Sequence, residues 1–139
     1  ARPARAKGIA MIKNTRPKII VTREDHEELI DLALKGLGRA PGAAFLLQEM
    51  QRAKVVDADA LPGNVLSMND NVAFEYDGAS YRDYQLVYPG SANFANGRIS
   101  VLTPVGAALI GLGENDEITW PNERGGEHRL KLTSVRRAG

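Results

Sequence analysis

The chain has 139 residues, 43% hydrophobic and 25% charged, enough for one domain of ordinary size or a small domain with an appendage. It has no cysteine, so disulfides, thiolate metal sites and cysteine nucleophiles are excluded, and a reducing, cytoplasmic location is expected. No apolar run reaches the ~18–20 residues that span a bilayer, and no apolar h-region follows the basic N-terminus, so neither a membrane partner nor a signal peptide is expected.

The formal net charge of +1 hides an asymmetry. Residues 1–21 carry six of the 18 cations (Arg2, Arg5, Lys7, Lys13, Arg16, Lys18) and no acid. From Thr22 onward 12 cations face 17 acids, a body of sign opposite to what clustered phosphate contacts require. Residues 1–18 are therefore expected to form a basic, disordered leader. Its role stays open: a solubilising tail, or weak contact with nucleic acid or with an acidic protein surface.

"IIVT" (19–22) is short and β-branched. Thr22 suits an N-cap and Asp25 stands where a capping box wants an acid. Glu24, Asp25, Glu27 and Glu28 crowd the positive end of the helix dipole. Leu29, Ile30, Ala33, Leu34 and Leu37 then recur at three- and four-residue spacing and predict one apolar stripe. "KGLGRAPG" (35–42) is a turn with Lys35, Arg39 and no acid. A second helix follows, with Ala43, Leu46, Leu47, Met50 and Ala53 as its stripe and Gln48, Glu49, Gln51 and Arg52 between them. The two helices predict a short antiparallel hairpin over 19–56.

"VVDADALPGN" (55–64) reads as a linker, after which the period changes to two. Strands are predicted at 71–76, 80–88, 98–103, 116–120 and 128–135, with "DG" at 77–78 as a hairpin turn. "PGSANFANG" (89–97) is a loop of turn formers. Pro104 to Leu112 is a short apolar helix. Helices segregated from strands give an α+β class.

Catalytic chemistry finds little support. His26 and His128 lie in different segments, and no spacing resembles a zinc site or a phosphate loop. Glu114, Asp116 and Glu117 read as a solvated turn, and Gly106 as a close helix–sheet contact. No catalytic residue, metal ligand or cofactor is assigned, and the residues alone describe a binding or regulatory module that is not an enzyme.

The stretch "LVYPGSANFANGRISVLTPVGAALIGLGENDEITWPN" (86–122) resembles the C-terminal domain of the Gre-type transcription factors, and most of all their Rnk branch. The elements that carry the likeness are Leu86 to Pro89, Ile99 to Val101, Thr103 to Leu109, Gly111, Leu112 and Asp116. The resemblance implies an FKBP-like antiparallel β domain over 65–139 behind the hairpin, here a short coiled coil. It implies docking on the rim of the RNA polymerase secondary channel. In Gre factors two acids at the coiled-coil tip help to hold Mg²⁺ and stimulate transcript cleavage, because Mg²⁺ needs hard oxygen ligands. The tip here offers Lys35 and Arg39 instead.

The expected function is that of a monomeric polymerase-binding regulator that competes with Gre factors without stimulating cleavage. A full cleavage factor and an FKBP-like peptidyl-prolyl isomerase are the alternatives. Ser100, Leu102, Thr103 and Pro104 are the expected polymerase contacts. Leu102 stands where Gre factors commonly have an acid, so it is either an apolar contact or a core residue. Thr103 is either a contact or a helix cap.

Overall fold

A computed structural model describes residues 16–138. The expected leader therefore lies outside the described residues, apart from Arg16, Pro17 and Lys18. Strand β1 (Ile20–Thr22) runs straight into helix α1 (Arg23–Gly36). Thr22 caps α1, its hydroxyl accepting the Asp25 N–H at 3.1 Å. The other half of a capping box is not made. The Asp25 carboxylate instead accepts the Ser67 hydroxyl at 2.8 Å, fastening the helix start to the segment before the main sheet. Helix α2 (Ala43–Arg52) returns antiparallel and ends in strand β2 (Lys54–Val56). β1 and β2 pair in parallel, Val21 opposite Val55, so a piece read as linker is a strand that closes the base of the hairpin.

The main sheet has five strands: β3 (Asn71–Tyr76), β4 (Ala79–Val87), β5 (Arg98–Ser100), β6 (Glu117–Pro121) and β7 (Glu127–Arg136). Their spatial order is β5-β4-β3-β7-β6. All pairings are antiparallel except β4–β5, which is parallel because the 88–97 connection crosses back before β5 begins. The β3–β4 turn holds Asp77 and Gly78 at φ 49° and 88°, the left-handed pair that a two-residue hairpin requires. Short helix α3 (Pro104–Leu109) follows β5.

One core joins these layers. Val72, Phe74, Leu86, Ile118, Leu130 and Leu132 from the sheet meet Ala107 to Ile110 of the α3 segment and Leu29, Ala33, Leu46 and Met50 of the hairpin. The hairpin thus lies on the β domain and shares its core, which an isolated pair of helices this short needs for stability.

Two details of the helical stripes differ from the sequence reading. Glu49, expected on the polar face, is 1% exposed. It lies three residues from Leu46 and so shares the buried stripe. Burial is tolerated because Arg16 donates to it at 2.7 Å and Arg52 at 3.0 and 2.7 Å. Conversely, Leu34 and Leu37 are 53% and 42% exposed, since Leu29, Ala33 and Gly36 already fill the face toward the core.

Candidate functional site

The hairpin tip and the β5–α3 junction form one face. The Gly42 N–H donates to the Leu102 carbonyl at 2.7 Å. A Cβ on Gly42 would fall 2.4 Å from both the Leu102 carbonyl oxygen and the Thr103 carbonyl carbon. Only glycine lets two backbones meet so closely. The tip is therefore anchored to the junction by backbone contact and does not stand away from the body. Leu102 Cδ1 points at the same seam, 3.6 Å from where a Gly36 methyl would lie.

The junction is built by a cap. Thr103 Oγ1 donates to the Ser100 carbonyl at 2.7 Å and accepts the Gly106 N–H at 3.1 Å. Ser100 Oγ accepts the Leu102 N–H at 3.1 Å. Pro104 opens α3, where its missing N–H costs nothing. Gly106 is the second close approach. A Cβ there would lie 2.1 Å from the Ser100 carbonyl oxygen, so α3 presses directly on β5.

Beside this junction is an apolar groove of about 360 Å³. Ser100, Thr103 and Pro104 line it together with Tyr76, Phe94 and Val105. Phe94 is 58% exposed although its ring packs on Tyr84 with centroids 5.4 Å apart. At the back of the groove Tyr76 stacks on Trp120, centroids 6.0 Å apart, and Trp120 meets Phe45 of α2 at 5.3 Å. His128 Nδ1 lies 2.7 Å from Asp77 Oδ2 and 3.2 Å from the Tyr76 hydroxyl, which fixes that ring. Burial, with the Asp77 charge added, pushes the Tyr76 phenol above its ordinary value. Burial works to raise the Asp77 carboxyl too, but the bonds from His128 and the Arg129 N–H outweigh it and hold it below the usual range.

All four junction residues singled out in the sequence thus come together, with Leu102 turned toward the hairpin and the other three toward the groove. Lys35 and Arg39 lie on the tip itself. Lys35 pairs with Asp31 at 3.0 Å, while Arg39 has no side-chain partner among the described residues. The sequence reading did not single out Phe94, and it placed Leu34 and Leu37, which are exposed, on the apolar stripe. The available signal for Phe94 was one aromatic in a stretch of turn formers, a residue that a loop does not need for its own folding.

The acids nearest the tip are both engaged: Asp31 by Lys35, and Glu49 by two arginines in a buried cluster. Among the described residues no three His, Asp or Glu side chains gather as a metal site would require. No described helix is long and apolar enough to cross a membrane.

A β domain of this topology behind a short helical hairpin defines a class, and comparison with known proteins identifies it. Residues 61–137 match the model for the C-terminal domain of the transcription elongation factors GreA/GreB, and residues 17–56 match the Rnk N-terminus. The chain is 38% identical over 109 residues to the regulator of nucleoside diphosphate kinase of Escherichia coli K12, covering 76% of this chain and 79% of that protein. It is 32% identical over 90 residues to the transcription elongation factor GreA of Staphylococcus aureus, covering 64% of this chain and 57% of that one. A GreA/GreB structure from Nitrosomonas europaea superposes with a TM-score of 0.66 at 36% identity, over 87% of this chain and 99% of that one. The chain belongs to the GreA/GreB family, in its Rnk branch. These relatives bear the names of regulators and elongation factors, and the homology supports a transcription-factor-like role.

Proposed function

We propose that the protein is a transcription regulator that docks on RNA polymerase at the secondary-channel rim and competes there with Gre factors without stimulating transcript cleavage. The observation that carries this reading is the anchoring of Gly42 on Leu102 beside the exposed apolar groove. It supports a preformed docking face in which Ser100, Thr103, Pro104 and Phe94 meet the partner. An exposed patch of this kind is what a protein interface uses.

The same anchoring argues against cleavage stimulation. A tip packed on its own β domain cannot carry a carboxylate into a distant catalytic centre, and metal ligation at ~2.1 Å tolerates little displacement. Lys35 and Arg39 repel the cation as well. No cofactor enters this reading.

The test is competition. Core RNA polymerase carrying a labelled Gre factor is titrated with the protein, and displacement is expected. Pro104→Ala and Phe94→Ala should weaken displacement while leaving the thermal midpoint nearly unchanged. Unaltered competition by both folded variants would remove the groove from the interface. The groove also favours a second reading, prolyl isomerisation, because Tyr76 and Phe94 could flank a prolyl ring. A proline-isomerisation assay on a short peptide is expected to show no acceleration, and a measurable kcat/KM would establish that activity.

A further inference from the structure

The opposite face of the sheet carries a feature that docking does not use. Ala73, in the central strand, lies between two irregularities. On one side β4 places both Arg82 and Asp83 against it, since Val72 pairs with Tyr84 and Phe74 with Tyr81. On the other side Ala73 pairs with Ser134 and Phe74 with Leu132, leaving Thr133 as an extra residue in β7. Asp83 takes the left-handed conformation, φ 61°, at this irregularity. Bulges on both flanks of the smallest side chain on that face open a concavity of about 360 Å³. Its floor is Ala73, and its walls include Arg82, Arg136, Thr133 and Ser134. Side chains alternate along a strand, so this concavity faces away from the core that Val72 and Phe74 enter.

The charges there are unresolved. Neither the Arg82 nor the Arg136 guanidinium makes a hydrogen bond or ion pair with any described residue, and Asp83, also on the wall, pairs with neither. The adjacent Arg137 behaves differently: it is bound to the buried Asp70 and to the Val65 and Pro62 carbonyls. Two free guanidiniums on the strands flanking one small floor, with two hydroxyls beside Arg136 on β7, match an anion that has several acceptor oxygens. Guanidinium forks hold phosphate oxygens in pairs, and hydroxyls donate to the rest. The single acid leaves the wall charge positive.

We infer that this double-bulge concavity binds the phosphate group of a nucleotide or nucleic acid, held between Arg82 and Arg136. The test follows backbone amide signals of the full chain by NMR at fixed ionic strength. Inorganic phosphate, adenosine monophosphate and a short single-stranded RNA are titrated separately. Saturable shifts at Ala73 and Ser134 are expected with all three. Arg82→Gln and Arg136→Gln should each weaken binding about tenfold, as expected for losing a charge-assisted contact of ~1.4 kcal/mol. Both side chains are exposed and unpaired, so neither change should move the thermal midpoint. Tighter binding of the mononucleotide would identify a free nucleotide as the source of the phosphate, and tighter binding of RNA a nucleic-acid backbone. Absence of saturable shifts with all three ligands would overturn the assignment. So would shifts that persist unchanged in both variants.

Discussion

The two ends of the helical hairpin are fastened to the β domain by different means. At the base one backbone bond, from the Ile20 N–H to the Gly111 carbonyl at 3.1 Å, is joined by side-chain contacts, Asp25 on Ser67 and Tyr88 on Glu28, while Glu49 ties α2 to Arg16. At the tip the contact is backbone on backbone, with glycine making it possible. The side-chain contacts at the base can be removed one at a time, because each has its own donor and acceptor. The tip has no such gradation, since a single carbon atom on Gly42 displaces the whole turn. A docking face that must hold one shape is better served by the second arrangement, and the groove adjoins the tip, not the base.

Breaking the tip should therefore cost most. Gly42→Val places carbon against two backbone atoms that cannot swing aside and removes the bond to Leu102. A loss of about 3 kcal/mol is expected in chemical denaturation. A loss below 1 kcal/mol would show that the tip can lift off at little cost, and with it the contrast between the ends would go. At the base, Glu49→Gln keeps the shape but leaves two arginines facing a neutral amide. Roughly 2 kcal/mol is expected, smaller than at the tip.

A third experiment separates the leader from the base. The sequence suggests that residues 1–17 can be removed without effect on stability. The structure gives Arg16 two roles on α2, the ion pair to Glu49 and a position over the Phe45 ring at 5.1 Å. Deletion of 1–17 is accordingly expected to lower stability by about 1 kcal/mol, as a partly exposed pair does. An unchanged midpoint would return Arg16 to the leader.

The smallest effect at neutral pH is that of Tyr88→Phe, but it has a pH signature. Burial, followed by the hydrogen bond to Glu28, pushes the Tyr88 phenol well above its ordinary value. The folded state therefore favours the neutral phenol. Its contribution is complete below the unfolded value near 10 and is lost as pH rises from there toward the folded value. The alkaline fall in stability should be shallower in Tyr88→Phe than in the native chain. Identical slopes would mean that Tyr88 is not held at the base.

Much of this was legible in the sequence where local chemistry decides the outcome. The Thr22 cap, the Asp77-Gly78 turn, the five strands of the sheet and the cap at Thr103 are all written in short windows. The parts that were not legible depend on partners far away in the chain. Glu49 looks solvated until Arg16, 33 residues earlier, is brought to it. The Lys54–Val56 segment looks like linker until Ile20–Thr22 lies beside it. Leu34 and Leu37 fit a helical period, and only the width of the face already filled by Leu29 and Ala33 shows that they are left outside. Three of the expected docking residues line the groove, but the groove itself needs Phe94 and Tyr76, which come from separate strands and loops.

The most direct test of the central claim uses the tip's chemistry against its geometry. Gly38→Asp combined with Arg39→Glu supplies the two acids that a cleavage factor carries, on a turn still anchored through Gly42. The measurement is cleavage of backtracked RNA in a stalled elongation complex with the double variant in excess. The account predicts intact RNA together with undiminished competition against a Gre factor. Cleaved RNA would contradict it, because it would mean that the tip leaves the junction and reaches the catalytic centre.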